Sequence, residues 1–409
     1  MFVIAVSGWI IGSGVIELPF GKRWPIASCI YSLLLLLGYC ATSKVTLENT
    51  ELVMISLSEI TSLILSIAIC VSICVVVCNT INGWKSIKGV QMIMERLEAS
   101  GRRINELGIF RDYRFVYRRH LITLVVEIFC IVCIVVTAYC LVPPETETLW
   151  YEVATIVALH YPMVVICIGD ATFITLVRSL HMRFAQLNKI LKQLLKTSDD
   201  SPQHERVFEY TIFKRRNVAD EFGKLTNDDT KLMRLASEDH YELVRIGSLI
   251  NTTLGTQALL SMTLAFFFLI GLLYRASSLL LWSTDDKEAV SVEVVMLFSW
   301  VFFSSYRVIS MTSACAQTSG ECKETAVIIC QLHEPSTSKA FRDEISDFLL
   351  QMTQHTVTFT ACGLFTLDCS LIHGMIGSIT TYLVILVQIG DTSNSSLPLN
   401  FGTPTSATE

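Results

Sequence analysis

The sequence predicts an all-α membrane protein of seven transmembrane helices, and three observations carry that prediction. Hydrophobic residues make up 52% of the 409 and charged residues only 17%, with a mean hydropathy of +0.52, outside the range of ordinary soluble domains. Seven apolar runs, 26–42, 60–84, 121–142, 153–177, 254–273, 294–313 and 371–389, approach or exceed the length that crosses about 30 Å of hydrocarbon as a helix. Basic residues crowd alternate connections. The net charge of −6 adds little, because membrane proteins sort charge by side instead of carrying a global field.

In chain order, residues 1–25 read as a short N-terminal segment. Its apolar stretch, 2–16, lacks the basic start and small-residue cleavage site of a signal peptide and leads to Leu18-Pro19-Phe20. Residues 26–177 hold helices 1–4. The connection after the second run carries Lys85, Lys88, Arg96, Arg102, Arg103, Arg111, Arg114, Arg118 and Arg119, whereas the one after the third carries Glu145, Glu147 and Glu152. The arginine-rich side is therefore expected to be cytoplasmic, which puts the N-terminus inside and, after seven crossings, the C-terminus outside.

Residues 178–253 read as a cytoplasmic helical extension. Leu180, Phe184, Leu187, Leu191 and Leu195 continue the fourth helix at helical spacing until Asp199-Asp200-Ser201-Pro202 ends it. Leu232, Leu235, Tyr241, Leu243 and Ile246 lead into the fifth run. Residues 254–313 hold helices 5 and 6. Residues 314–370, with an amphipathic piece at 328–352, lead to helix 7 at 371–389, and the Ser/Thr/Pro-rich tail 390–409 is expected to be disordered and external, with Asn394-Ser395-Ser396 as a glycosylation triplet. Three such extensions could pack as a cytoplasmic bundle or lie on the inner leaflet.

Candidate chemistry is sparse. The cysteines lie mostly in apolar runs, where they act as small hydrophobes. No glycine-rich phosphate loop, paired histidine ligands or nucleophile elbow stands out, so neither an enzyme nor a metal, cofactor or nucleic-acid binder is expected. Three ionisable residues fall inside the runs at similar depth, Glu127, Asp170 and Arg307. Such groups are costly in hydrocarbon, and Arg307 is expected to pair with Asp170 or Glu127, as structural glue or on an ion path. For a small ligand the outer halves of the runs offer an aromatic-rich, uncharged set: Thr61, Ser62, Thr137, Tyr139, His160, Tyr161, Phe267, Phe268, Trp300 and Phe303. In the last run Ser378, Tyr382 (or Thr381), Ile385 and Gln388 share one helical face. Copies around an axis would form an aliphatic gate beside an amide ring, while a single buried helix would use Gln388 to bond a neighbour; both readings stand at this point.

The segment from Tyr382 to Gln388 resembles the C-terminal signature of insect gustatory receptors, a Thr-Tyr pair, five aliphatic residues and Gln, with Ile389 where Phe is usual. Phe359 to Asp368 and Cys315 to Leu332 are similar to the family's preceding segments, with Ala316 where His is common and Cys322 where Ala is common. The resemblance implies a gustatory chemoreceptor: a ligand-gated, non-selective cation channel of the plasma membrane, assembled as a homo- or heterotetramer with other such subunits. It further implies a cytoplasmic bundle holding the tetramer, helix 7 lining the pore, and a tastant, sugar or bitter compound, bound among helices 2–6. No acidic residue follows Tyr382, which departs from the main sugar-receptor subgroup. The alternatives are a metabotropic seven-helix receptor of inverted topology, a non-conducting accessory subunit and a transporter.

Overall fold

The computed structural model describes residues 6, 8–14, 24–53, 59–106, 114–141, 149–199, 221–282, 287–332 and 339–395. Over these it forms eight long helices and one small hairpin: α1 (Pro25–Val53), α2 (Glu59–Glu106), α3 (Arg114–Leu141), α4 (Leu149–Asp199), α5 (Glu221–Trp282), α6 (Lys287–Leu332), α7 (Lys339–Gln354), β1 (Thr360–Ala361), β2 (Phe365–Thr366) and α8 (Cys369–Ser395). Among the described residues, α1, α2, α4, α5, α6 and α8 are long and apolar enough to cross a membrane, and α3 adds the shorter apolar stretch Leu121–Thr137. This is a multi-pass membrane bundle.

Four helices outrun any bilayer. With 46 to 62 residues each, α2, α4, α5 and α6 are about 70–90 Å long, against about 30 Å of hydrocarbon. Their excess projects from one end. There Leu180, Phe184, Leu187 and Leu191 of α4, spaced as one helical stripe, are fully buried against Met233, Leu243 and Ile246 of α5, Ile329 of α6 and Ile345 and Phe348 of α7. The extensions therefore pack on one another. The inward register of α5 differs from the sequence expectation. Leu235 and Tyr241 face outward, whereas Met233, Ala236 and His240 turn in, because the helix keeps one stripe of 3.6-residue period and those two positions fall off it.

α4 is the hub of the molecule. It packs against α1, α2, α3, α5 and α6, and 72% of its most apolar window is buried, against 11% for α8. Pro162 lies within α4. After Leu332 the sequence expectation of one amphipathic piece at 328–352 divides: α6 ends there, and α7 begins at Lys339 with Phe341, Ile345, Phe348 and Met352 buried at i, i+4, i+7 and i+11.

The hairpin joins α7 to α8. Thr360 pairs with Thr366 and Ala361 with Phe365, and the turn runs through Cys362 and Gly363 at φ of 51° and 76°. Gly363 suits that left-handed conformation; Cys362 is held in it by its surroundings. Asn251 of α5 grips β1 twice, its Oδ1 accepting from Thr360 N at 2.7 Å and its Nδ2 donating to Thr360 Oγ1 at 3.0 Å. The buried Phe359 ring meets Phe173 of α4 edge-on at 6.3 Å. Asp368 then caps α8, its Oδ1 accepting from Ser370 N at 2.9 Å.

One terminal expectation changes. α8 continues to Ser395, so residues 390–395 and Asn394 belong to the helix and not to a disordered tail. The helical turn at 8–10 and the residues after it are docked, with Ile11 buried among Leu124, Val165, Ile168 and Ala171, and Trp84 Nε1 donating to Gly12 O at 3.3 Å. Leu18-Pro19-Phe20 and 396–409 lie outside the described residues.

Candidate functional site

Three clusters contain most of the residues that the sequence singled out. The first is aromatic and lies between α4, α5 and α6. Trp300 of α6 touches His160 of α4 at 5.4 Å between ring centroids, Phe268 of α5 at 6.1 Å edge-on and Phe303 at 5.9 Å edge-on. Each edge-on pair places a positive ring edge on a negative face. Ile131, Ile134 and Val135 of α3 and Met163 and Cys167 of α4 complete the apolar wall. His160 Nδ1 is 2.9 Å from Ile156 O. The neighbouring position on α4 points elsewhere: Tyr161 lies against Tyr39 of α1 at 5.3 Å, since adjacent helical residues diverge by about 100°. By the same divergence Phe268, not Phe267, reaches Trp300, and Phe267 is half exposed. Thr137 is apart from the rings but beside them. With Cys133, Ile134, Ser291, Val292, Val295, Met296 and Ser299 it lines a cleft of about 290 Å³ between α3 and α6, and Ile134 is common to cleft and ring cluster. The side chains of Thr61, Ser62 and Tyr139 lie outside the described residues.

The second cluster is charged and buried. Arg307 of α6 and Asp170 of α4 form an ion pair with side chains 3% and 4% exposed. Arg307 Nη2 donates to Asp170 Oδ2 and to Ser261 Oγ of α5 at 3.0 Å, and the Ser261 hydroxyl donates to Asp170 Oδ2 at 2.7 Å. Arg307 Nη1 also faces Met163 Sδ at 3.8 Å. The pair thus ties α4, α5 and α6 together. Glu127 of α3 is buried beside it, within electrostatic reach of Asp170 and Arg307, but makes no ion pair with Arg307. Ser261 was not among the sequence candidates; a serine in an apolar run carries no signal until its partner is known.

The third is an exposed face of α8. α8 packs on α5 and α6 through Leu371, Met375 and the buried Ile379. Beside this packed face runs a stripe of Gly374, Gly377, Ser378, Thr381, Ile385 and Gln388, all exposed, and a methyl group added at Gly374 or Gly377 would meet no atom within 4 Å. Ile385 is 44% exposed. Tyr382 stands at the border of this face, its ring edge-on to Phe266 of α5 at 6.1 Å. Thr381 Oγ1 donates back to Gly377 O at 2.9 Å, which satisfies its hydroxyl without water.

At the foot of α8, outside the apolar run, Asp368 accepts from the Ser370 hydroxyl and backbone N–H and from Thr366 Oγ1 at 3.0 Å. These bonds hold its carboxyl below the usual carboxylate range.

A bundle of apolar helices around a buried ion pair, with an aromatic cluster at one level and one thinly covered helix, defines a polytopic helical membrane protein. A family model described as 7tm chemosensory receptor matches residues 11–393, and the chain belongs to that family. It is similar to putative gustatory receptor 28b of Drosophila melanogaster, 28% identical over 255 residues, covering 60% of this chain and 53% of that protein. It also resembles two other receptors of that fly. These are the gustatory receptor for bitter taste 66a (26% identical, 41% of this chain and 32% of that one) and the gustatory receptor for sugar taste 43a (25%, 40% and 37%). The matches thus span about half or less of these relatives' own length. Among solved structures the fold matches insect olfactory receptor OR5 from Machilis hrabei in complex with eugenol, with a TM-score of 0.57, 13% identity, and coverage of 95% of this chain and 97% of that one. The protein is a multi-pass membrane chemosensory receptor, and the plasma membrane is its expected site.

Proposed function

We propose that the chain is a subunit of a ligand-gated, non-selective cation channel that responds to a small tastant. The observation that carries this reading is the free face of α8. Exposed Ile376, Val384 and Ile389 lie on other sides of α8, whereas one stripe presents Gly374, Gly377, Ser378, Thr381 and Gln388 around Ile385, a composition that a purely lipid-facing surface would not need. Four copies about an axis would place Ile385 as a dewettable constriction and Gln388 as a polar ring one turn away. The tetramer, with homomeric or heteromeric partners, and the orientation with the extension end in the cytoplasm are parts of the same proposal. Both rest on the family resemblance and on the basic residues at that end.

The ligand site in this reading is the aromatic cluster of Trp300, Phe303, Phe268 and His160, open towards the cleft at Thr137. Its rings offer stacking faces to an uncharged compound, and three hydroxyls, Thr137, Ser291 and Ser299, border it. Ser299 Oγ is already bonded to Val295 O, so few groups are left for a polyhydroxylated sugar. A flat bitter-type compound suits the cluster better. Binding there would bias α6 against α4 and α5, and α8 packs on α5 and α6.

Whole-cell current from cells expressing the chain, with a panel of bitter compounds and sugars, tests the reading by comparing wild type with Gln388→Arg. A ligand-evoked cation current that the substitution abolishes or makes anion-selective supports it. A current indifferent to Gln388 would put the pore on another helix.

A further inference from the structure

The buried charge cluster leaves one of its two carboxylates, Glu127, without an ion pair among the described residues. Glu127 Oε2 and Asp170 Oδ1 are both buried without a hydrogen-bond partner among the described residues, and the orphan donors near them are Arg307 Nε and, on α5, Gln257 Nε2. Ser304 Oγ, one turn from Arg307 on α6, is likewise buried and unpartnered among the described residues. Arg307 is engaged by Asp170, and Glu127 forms no ion pair among the described residues. The other charged or titratable groups around the cluster do not supply one. Arg178, about 12 Å beyond Asp170 along α4, is half-buried, donates to Ser310 Oγ at 3.3 Å and faces Arg119 of α3; it lies within electrostatic reach of Glu127 but forms no ion pair with it among the described residues. Tyr306 of α6 lies beside Arg178, and Cys167 of α4 faces the cluster as a buried thiol. From α5 come only the Ser261 hydroxyl and, nearby, the Gln257 amide. An added proton turns an orphan acceptor into a donor and removes an unpaired negative charge from an apolar interior.

We infer that Glu127 carries a proton in this arrangement of helices, so that α3, α4 and α6 enclose a buried single-proton site whose occupancy is linked to their packing. Asp170 is the ionised carboxylate, since it already holds Arg307 and Ser261; Glu127 is the one that accepts the proton. Loss of the proton leaves an uncompensated negative charge between apolar helices. It favours either a partial transfer of Arg307 from Asp170 towards Glu127 or the withdrawal of α3, which packs less extensively on α4 than α6 does. The inference does not depend on the channel reading.

The test is infrared spectroscopy of the full chain in lipid nanodiscs between pH 6 and 9, with and without ¹³C-labelled glutamate. The expected result is a protonated-carboxyl carbonyl band that shifts with the glutamate label, shifts in D2O, weakens as pH rises and is missing in Glu127→Gln. Glu127 is the one glutamate buried among the described residues, so the isotope shift assigns the band in wild type even if the variant does not fold. Absence of a glutamic-acid band at pH 6, or its persistence in Glu127→Gln, overturns the proposal. Replacing sodium by N-methylglucamine should leave the band unchanged. A glutamate that is ionised in both media, with thermal stability that follows sodium, would make the occupant a metal cation and overturn it equally.

Discussion

Replacing Arg307 by Met tests what the buried ion pair contributes, and the structure sets the scale. Asp170 is 3% exposed and would keep only the Ser261 hydroxyl bond at 2.7 Å once the guanidinium is gone. Breaking one side of a buried pair leaves an uncompensated charge and costs about 3–5 kcal/mol. At roughly 2 °C per kcal/mol for a chain of this size, the detergent-solubilised protein should lose about 6–10 °C of thermal stability. The diagnostic comparison is with Arg307→Met/Asp170→Leu, which removes both charges at similar volume and should recover at least half of that loss, because the larger part of the single-variant cost is the stranded carboxylate. Monodispersity by fluorescence-detected size exclusion after graded heating reads all three proteins. If Arg307→Met were as stable as wild type, or the double variant no better than the single, Asp170 would not depend on Arg307 for its charge and the account of the cluster would fail.

Four further outcomes are expected. Ile385→Ser should raise current in the absence of ligand at normal surface expression, because a hydroxyl wets the proposed constriction; an unchanged leak would count against that gate. Trp300→Ala removes the central ring of the proposed ligand site, and at about 0.5–1.5 kcal/mol for one lost ring contact to the ligand should raise the half-maximal ligand concentration roughly 2–12-fold, measured at matched surface expression; an unchanged value would count against that site. Gly89→Ala puts a methyl group 2.6 Å from Thr253 Cγ2 on α5, and since a β-branched side chain cannot swing aside, α2 and α5 must separate at a cost of about 1–3 kcal/mol, measurable in the same heating assay. Asp368→Ala removes the α8 cap and should cost about 1 kcal/mol. Because the folded-state carboxyl is held below its unfolded value, the cap's contribution is present above the ordinary carboxylate range and is lost only as pH falls through the lowered value; stability differences between wild type and Asp368→Ala should therefore stay constant from pH 5 to 8.

The outline of the protein was legible because a bilayer imposes one-dimensional rules. Length and apolarity pick out spanning helices wherever the chain runs, so the windows near 26–42, 153–177 and 371–389 reappear in α1, α4 and α8. Helical periodicity was equally local. The stripe Leu180, Phe184, Leu187, Leu191 is a core stripe in the folded chain, and Ser378, Ile385 and Gln388 do share a face of α8.

Everything that depends on azimuth between helices was not legible. Side chains one residue apart, such as His160 and Tyr161 or Phe267 and Phe268, are equivalent as members of an apolar run, yet only His160 and Phe268 meet Trp300. The helix that becomes the hub could not be read either, since α4 and α8 have comparable hydropathy but one is 72% and the other 11% buried. Equal depth along the membrane allowed Arg307 to meet either Asp170 or Glu127. The rotation of α4 against α6, with Ser261 supplied by α5, resolved the choice in favour of Asp170 and left Glu127 as the buried carboxylate without a partner. Partition into a bilayer depends on each helix alone and is written along the chain, whereas partner choice depends on how several helices turn about their axes, which their packing together decides.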